Sequence, residues 1–293
     1  DWYGCATFRM RTQGMTIFLD AYIDRVPKAA GTGLTADDIG ECDWMVVGHS
    51  HFDHLWGAER IAKRTGCTVL GSYETVRILV EEGVPENQLM PVAGGETVDL
   101  GSGVKVRVYP SQHSCVWSHG KMSGAGEVCI GDLGVTHQER LASMRRLTEL
   151  FGGMDDDVKR HLELSNQGTR GDGGALVYVF ETPEGSVFYQ DTSGHWTGIL
   201  HNLRPDVAII GAAGRGNIDG EPIQGSLAQF VGRQADLLRP RTLILGHHDD
   251  WLPGFSIDTD TAPIAEELRR VAPYTSLLEM GYLEAVSIFS DSA

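Results

Sequence analysis

Three histidines and an aspartate stand close together in the first fifth of the chain. Residues 48–55 read GHSHFDHL and follow the apolar run 44–47, WMVV, which is typical of a short buried strand. Side chains that leave the end of one strand converge on a small volume. Neutral imidazole nitrogens and carboxylate oxygens are ligands of zinc and related divalent ions. The segment therefore predicts a metal site, with donors from His49, His51, Asp53 and His54.

Further metal-compatible side chains stand at the ends of other predicted strands: His113, Asp191, and either His247 or His248. Each follows an apolar or alternating run of residues. A structural zinc site is normally closed by four ligands. At least seven candidate donors are present, which is too many for one tetrahedral ion. They suffice for two ions that share a carboxylate at about 3.5–4 Å separation, as in two-metal hydrolytic sites.

The order of the elements that must position these donors indicates the fold class. The chain begins with strands over residues 2–10 and 16–19, then twice mixes strands and helices, and a closing strand is predicted over residues 282–289. This order predicts an α/β fold, an αββα sandwich in which two mixed β-sheets pack face to face with helices on the outer faces.

We expect a single domain over residues 1–293, with an insertion at about residues 114–174 that is rich in glycine and charge. Within the insertion, residues 138–151 fit an amphipathic helix and residues 155–164 suggest another. A lid over the site, an oligomer contact and a plain surface excursion are all open interpretations of this segment.

Composition restricts the partners. The formal net charge is −16, from 24 basic and 40 acidic residues, and such a surface repels phosphate backbones, which argues against nucleic acid. No apolar run is long enough to cross a bilayer. Five widely spaced cysteines without a C-x-x-C pair fit buried thiols in a reducing compartment. We expect a cytoplasmic protein with a small-molecule substrate, and a homo-oligomer stays open. Because the sequence begins at Asp1, a removed leader also stays open.

The donor pattern resembles that of the metallo-β-lactamase superfamily. The family's H-x-H-x-D-H loop matches residues 49–54, and its other motifs find counterparts in order at Asp20, His113, Asp191 and His247. The match covers most of the chain outside residues 114–174. The opening WYGCATF of residues 2–8 is similar to the W-x-G-x-[AS]-[ST]-F start of the ascorbate-phosphate lactonase-like group. That group also contains a phospholipase D acting on N-acyl phosphatidylethanolamine.

The resemblance implies a role for each donor. The first ion would be held by His49, His51 and His113, and the second by Asp53, His54 and His247. Asp191 would bridge both ions. Asp20 would accept the outward N–H of a ligand imidazole and so orient it. The family order of a glycine followed by histidine at a late strand end favours His247 over His248 as the ligand.

The implied activity is that of a dinuclear metal-dependent hydrolase. A metal-bridging hydroxide, held by Asp53 and Asp191 among others, would attack a lactone or carboxyl ester of a small molecule. Zinc is expected first, with manganese, iron or nickel as alternatives. A phosphodiesterase of the same fold is the second hypothesis. A diiron redox protein and a non-catalytic binding scaffold are hypotheses of another class. The redox members of the superfamily carry glutamate where this chain has His51.

Other side chains are candidates on sequence proximity alone. Candidate proton donors to the leaving group are His248, His195 and Asp249, because they neighbour proposed ligands in the sequence. Candidate substrate contacts are further basic and aromatic residues: Arg215, Arg170, Trp117, Trp196, Trp251 and His195.

Overall fold

A computed structural model describes residues 1–118 and 122–289. In this part of the chain the first sheet has six strands in sequential order. They are β1 Trp2–Gly4, β2 Thr7–Thr12, β3 Met15–Leu19, β4 Trp44–Val46, β5 Thr68–Ser72 and β6 Leu89–Val92. Strands β1 to β3 pair antiparallel, whereas β3 to β6 pair parallel. The parallel strands therefore all end at the same edge.

The second sheet has seven strands among the described residues, in the order β16-β15-β12-β10-β9-β8-β7. They are β7 Thr97–Gly101, β8 Val104–Pro110, β9 Leu176–Glu181, β10 Ser186–Gln190, β12 Val207–Gly211, β15 Thr242–Gly246 and β16 Ser276–Leu278. A small third sheet joins β11 Gly194–His195, β13 Asn217–Ile218 and β14 Glu221–Pro222. Strands β10, β12 and β15 are parallel, so this sheet also has one edge where several strands end together.

Eight α-helices connect or cover these strands in the described ranges. They are α1 Phe52–Leu55, α2 Ala58–Thr65, α3 Tyr73–Glu81, α4 His137–Gly152, α5 Asp156–Ser165, α6 Thr197–Leu200, α7 Leu227–Leu238 and α8 Ala262–Val271. None of them is both long and apolar enough to cross a membrane. Short 3₁₀ turns occupy Ala36–Asp38, Glu86–Gln88 and Val116–Ser118.

Three buried apolar clusters establish the layer order. One lies between the two sheets and joins residues such as Leu70 and Tyr178. A second joins the outer face of the first sheet to α2 and α3, for example through Met45. A third joins the outer face of the second sheet to α7 and α8, for example through Phe188 and Phe230. The six-stranded and the seven-stranded sheet are thus both buried on two faces, which confirms the predicted αββα sandwich.

The closing strand predicted over residues 282–289 is wrong. The last strand of the second sheet is β16, Ser276–Leu278, and residues 282–289 contain no named strand. Tyr282 makes one isolated bridge to Trp2. Residues 282–289 are exposed or half-buried. Tyr282, Ile288 and Phe289 are half-buried and pack against the core between the sheets, so the apolar positions of this segment cover the core without joining a sheet.

Candidate metal centre

The donor side chains reach one place because they follow strands that end at the same edge. Asp20 follows β3, residues 49–54 follow β4, and His113 follows β8 by a short turn. Asp191 follows β10 directly, and His247 follows β15 directly. In open α/β sheets the carboxyl ends of parallel strands form the usual site edge, and here the two sheets contribute from both sides.

The first donor group consists of three imidazoles. One ring nitrogen from each of His49, His51 and His113 lies within 4.8 Å of the others. The closest pair is His51 Nδ1 and His113 Nε2, 3.1 Å apart. The opposite ring nitrogens donate to carbonyls, from His51 Nε2 to Gly171 at 3.0 Å and from His113 Nδ1 to Ser114 at 3.0 Å. These tautomers leave two lone pairs facing each other, an arrangement that a cation between them would satisfy.

The second donor group combines a carboxylate with two imidazoles. His247 Nε2 lies 3.1 Å from His54 Nε2 and 3.2 Å from Asp53 Oδ2. Cys5 belongs to the same group, with its sulfur within 4.8 Å of the other three donor atoms. The thiol donates to the backbone carbonyl of Asp53 at 3.3 Å. All four residues are buried, so the site offers nitrogen, oxygen and sulfur donors away from bulk water.

Asp20 and Asp191 lie behind the imidazoles and accept their outward N–H groups. His54 Nδ1 donates to Asp20 Oδ2 at 2.6 Å, and His49 Nδ1 donates to Asp191 Oδ2 at 2.6 Å. Such contacts fix the tautomer that leaves Nε2 free for a metal. The orienting role of Asp20 fits this geometry. The bridging role of Asp191 stays a prediction, because its described contacts are to the Nδ1 atoms of His49 and His54.

Three buried atoms of the proposed ligands have no partner among the described residues. They are His49 Nε2, Asp191 Oδ1 and His247 Nδ1, and a buried polar atom without a partner costs free energy. Both atom types are good ligands for divalent ions. Together with the facing lone pairs in each group, they show that the residues present fit bound metal ions.

The pKa shifts at the centre differ between the two donor groups. Burial lowers the pKa of His49 and His113 well below the usual value, and the neighbouring imidazoles lower it further. Burial alone would raise the pKa of Asp53, but His54 and His247 hold it well below its usual range. Despite burial, the neighbouring carboxylates raise the pKa of His54 and His247. His49 and His113 are therefore neutral and Asp53 is ionised near neutral pH, as metal binding requires, whereas a metal ion competes with protons at His54 and His247.

Three non-glycine residues of the centre adopt left-handed backbone conformations. They are Cys5 at φ 48°, Asp20 at φ 56° and His247 at φ 64°. Such conformations cost about 1–2 kcal/mol each and persist where surrounding contacts enforce them. The backbone N–H of His247 donates to the carbonyl of Cys5, so two of these strained residues hold each other in place.

A cleft of about 540 Å³ opens above the donors. His51, Asp53, His113 and His247 form part of its lining. Its other walls are mostly apolar and come largely from residues 116–169, within the predicted insertion. Neither lysine nor arginine occurs among the described residues that line this cleft.

Trp251 is the one predicted substrate contact that the described structure brings to the cleft, with its ring edge-on to His247 at 5.1 Å between centroids. The proposed proton donors lie elsewhere. His248 stacks on Trp2 at 4.7 Å, and His195 packs on Phe230 at 5.3 Å. Both rings pack against aromatic side chains outside the cleft lining.

The remaining predicted contacts also lie away from the cleft. Arg215 is buried and pairs with Asp132 at 2.6 Å. Trp117 lies under the guanidinium of Arg140 at 4.3 Å, and Trp196 is 41% exposed in a separate depression beside His113. Arg170, another predicted substrate contact, is exposed. Asp249, a proposed proton donor, accepts hydrogen bonds from the backbone N–H of Cys5 and the hydroxyl of Tyr282. Of the residues chosen for proximity in sequence to a ligand, Trp251 is the one that lines the cleft among the described residues.

Cys5 and the apolar cleft wall were not predicted from the sequence. Nothing in the sequence distinguished Cys5 from the other four cysteines. The amphipathic pattern of α4 did signal an apolar face, and Leu147 and Phe151 of that face line the cleft. The pattern alone could not say what the face would contact.

Comparisons with known proteins identify the family of the chain. Residues 15–146 match the family described as "Beta-lactamase superfamily domain". A UPF0173 metal-dependent hydrolase from Pyrobaculum arsenaticum is 30% identical over 178 residues, which make up 61% of this chain and 76% of that protein. The chain belongs to the metallo-β-lactamase superfamily.

Solved structures share the fold over nearly the whole chain. Igni18, a metallo hydrolase from the archaeon Ignicoccus hospitalis, superposes with a TM-score of 0.62 at 17% identity, covering 97% of this chain and 95% of that one. CmlA, a diiron β-hydroxylase from Streptomyces venezuelae, has a TM-score of 0.51 at 15% identity, covering 96% of this chain and 52% of that one. At such identities the likeness concerns the fold alone, and function must be argued from the site.

Proposed function

We propose that this protein is a dinuclear metal-dependent hydrolase that cleaves an uncharged carboxyl ester or lactone. The observation that carries the proposal is the pair of adjacent donor groups, His49/His51/His113 and Asp53/His54/His247, at the floor of one cleft. Two such groups supply enough donors for two ions. The name of the Pyrobaculum relative, a metal-dependent hydrolase, supports the same class of activity.

Divalent ions held at such a site lower the pKa of bound water and polarise a substrate carbonyl oxygen. The chain's own residues make this possible in three ways. Asp20 and Asp191 hold His54 and His49 in the required tautomers. Buried Asp53 supplies negative charge beside His247. The apolar cleft walls exclude water, which strengthens the electrostatic interactions within the site.

The cleft favours a carboxyl ester over a phosphodiester. A phosphodiester brings a permanent negative charge, which proteins usually meet with metal ions together with arginine or lysine. Beyond the proposed metal ions, no arginine or lysine occurs among the described residues of the lining to hold that charge. An uncharged ester or lactone needs no cationic partner until negative charge develops in the transition state.

The experiment measures metal content and hydrolysis on the same preparation. We expect about two metal ions per chain. We also expect the protein to hydrolyse uncharged esters or lactones. A chelator should abolish this activity, and added zinc or manganese should restore it. Asp191→Ala should lower the content of both ions, and Glu82→Gln, which changes an exposed carboxylate, serves as the matched control. Ester hydrolysis that survives complete metal removal would overturn the proposal, as would cleavage confined to phosphodiesters.

A further inference from the structure

One wall of the cleft is made of side chains that perform no step of the chemistry described above. Helix α4 contributes Met144, Leu147 and Phe151, and the segment after β15 contributes Trp251 and Phe255. Other apolar side chains complete this wall: Phe52, Val116, Met122 and Leu162. We call these nine residues the apolar wall.

We propose that the apolar wall is the binding subsite for an aromatic or branched aliphatic group of the substrate, next to the bond that is cleaved. The proposal rests on the proposed function for the location of the reacting bond. It adds the chemical class of the group that the substrate presents beside that bond.

The wall is continuous with the metal centre through aromatic contacts. Trp251 meets His247 edge-on at 5.1 Å and Phe255 edge-on at 5.8 Å. Phe255 in turn meets Phe151 of α4 edge-on at 5.1 Å. A group bound against these rings therefore starts beside a metal ligand and extends toward the insertion. Edge-to-face packing is also the arrangement that an added aromatic ring prefers.

The composition of the wall argues against other occupants. Charged side chains of α4, such as Arg145, Arg146 and Glu149, are exposed and do not line the cleft. Polar groups occur nearby as neutral side chains, including Asn166, Gln167 and Thr169, and the amide N–H groups of Asn166 and Gln167 can donate hydrogen bonds to an ester. A charged substrate group would lose hydration against the wall without gaining a partner.

The size and chemistry of the wall indicate a medium-sized group rather than a methyl. The cleft of about 540 Å³ lies within the usual range of about 300–1,000 Å³ for small-molecule sites. The flexible thioethers of Met122 and Met144 can adapt to more than one ring or branched chain.

The test is a binding measurement that needs no turnover. Benzylacetone is an uncharged ketone that carries an aromatic ring and has no leaving group, and acetone is its counterpart without the ring. We expect calorimetry on the purified full chain to detect benzylacetone and to give no measurable binding of acetone. An equal signal for both compounds would contradict the proposal.

Two substitutions on one helix provide a matched pair. Met144 lines the cleft and is 39% exposed, whereas Leu141 is 44% exposed and does not line it. Met144→Asp should weaken benzylacetone binding about tenfold, since it places a charge in the subsite. Leu141→Asp should leave binding unchanged. Similar exposure makes both variants equally tolerable to the fold, and thermal unfolding checks this.

The outcomes separate this inference from the proposed function. Equal benzylacetone binding by Met144→Asp and wild type would overturn the subsite, whatever the enzyme hydrolyses. If Met144→Asp weakens benzylacetone binding but the protein hydrolyses no 3-phenylpropionyl ester, the subsite is retained and the ester reaction is refuted. Faster hydrolysis of acetyl than of 3-phenylpropionyl esters would also count against the subsite.

Discussion

The Nδ1 atom of His54 lies 2.6 Å from Oδ2 of Asp20, while the other oxygen of Asp20 accepts the backbone N–H of Gly48 at 2.8 Å. The two contacts together fix the proton on His54 Nδ1 and leave Nε2 as a lone pair toward His247. Burial and the neighbouring charge of Asp191 raise the pKa of Asp20 to about 7. The Asp20 carboxylate thus does two things: it binds the backbone of the loop that follows β4, and it sets the tautomer of His54, a proposed ligand.

Asp20→Asn should disrupt the second donor group specifically. The side-chain oxygen of asparagine must face Gly48 N, so its NH₂ group would face His54 Nδ1 and force the proton onto Nε2. We expect metal affinity to fall about 10–100-fold, measured by competition with a chromogenic chelator. Glu82→Gln is the control at an exposed carboxylate. Unchanged affinity would mean that Asp20 does not set the tautomer.

Cys5→Ser should change the spectrum of the cobalt-substituted protein. The Cys5 sulfur lies in one donor group with Asp53, His54 and His247, and a thiolate that binds cobalt gives an intense near-ultraviolet charge-transfer band. We expect this band in the wild type and its loss in Cys5→Ser. Cys115→Ser is the matched control, because Cys115 is also buried and free but lies outside that donor group. If the Cys5→Ser variant retains the band, Cys5 does not form a metal–sulfur bond.

Gly48→Ala should impair both folding and metal binding. A Cβ at Gly48 would overlap the carboxyl group of Asp191, which itself holds His49. Overpacking of this kind typically costs about 1–3 kcal/mol. We expect a lower free energy of unfolding in urea and a lower metal content. Gly40→Ala, where the Cβ meets no atom within 4 Å, should behave like the wild type.

His195→Leu should reduce the sensitivity of the protein to acid. Burial lowers the pKa of His195 to about 4 from an ordinary value of 6.5, so between these values the unfolded chain binds a proton that the folded chain does not. The free energy of unfolding therefore falls as the pH drops from about 6.5 to about 4, by about 3 kcal/mol from this residue. Urea unfolding at several pH values measures the slope.

The control for the acid experiment is His201→Leu, at an exposed imidazole near the end of α6. The wild type and His201→Leu should lose stability in parallel over this pH range, whereas His195→Leu should lose less. If all three proteins show the same pH dependence, His195 does not stay neutral in the folded state.

Most of the donors and the order of the layers could be predicted from the sequence. The H-x-H-x-D-H pattern, with His113, Asp191 and a late histidine each following a strand, indicated which residues meet, and the family resemblance favoured His247 over His248. Periodicity indicated the strands that precede these donors, and strands of one direction end at one edge. The αββα order followed from the same information.

Tertiary structure alone decided what surrounds those donors. Cys5 reaches the centre because β1 and the segment after β15 meet there, and Trp251 lines the cleft while His248 turns to Trp2. Arg215 is drawn to Asp132, far along the chain. These outcomes depend on contacts between segments that are distant in the sequence, and the local hydrophobic periodicity does not predict such contacts. The cleft wall, and with it the choice of substrate, is therefore a property of packing rather than of any one motif.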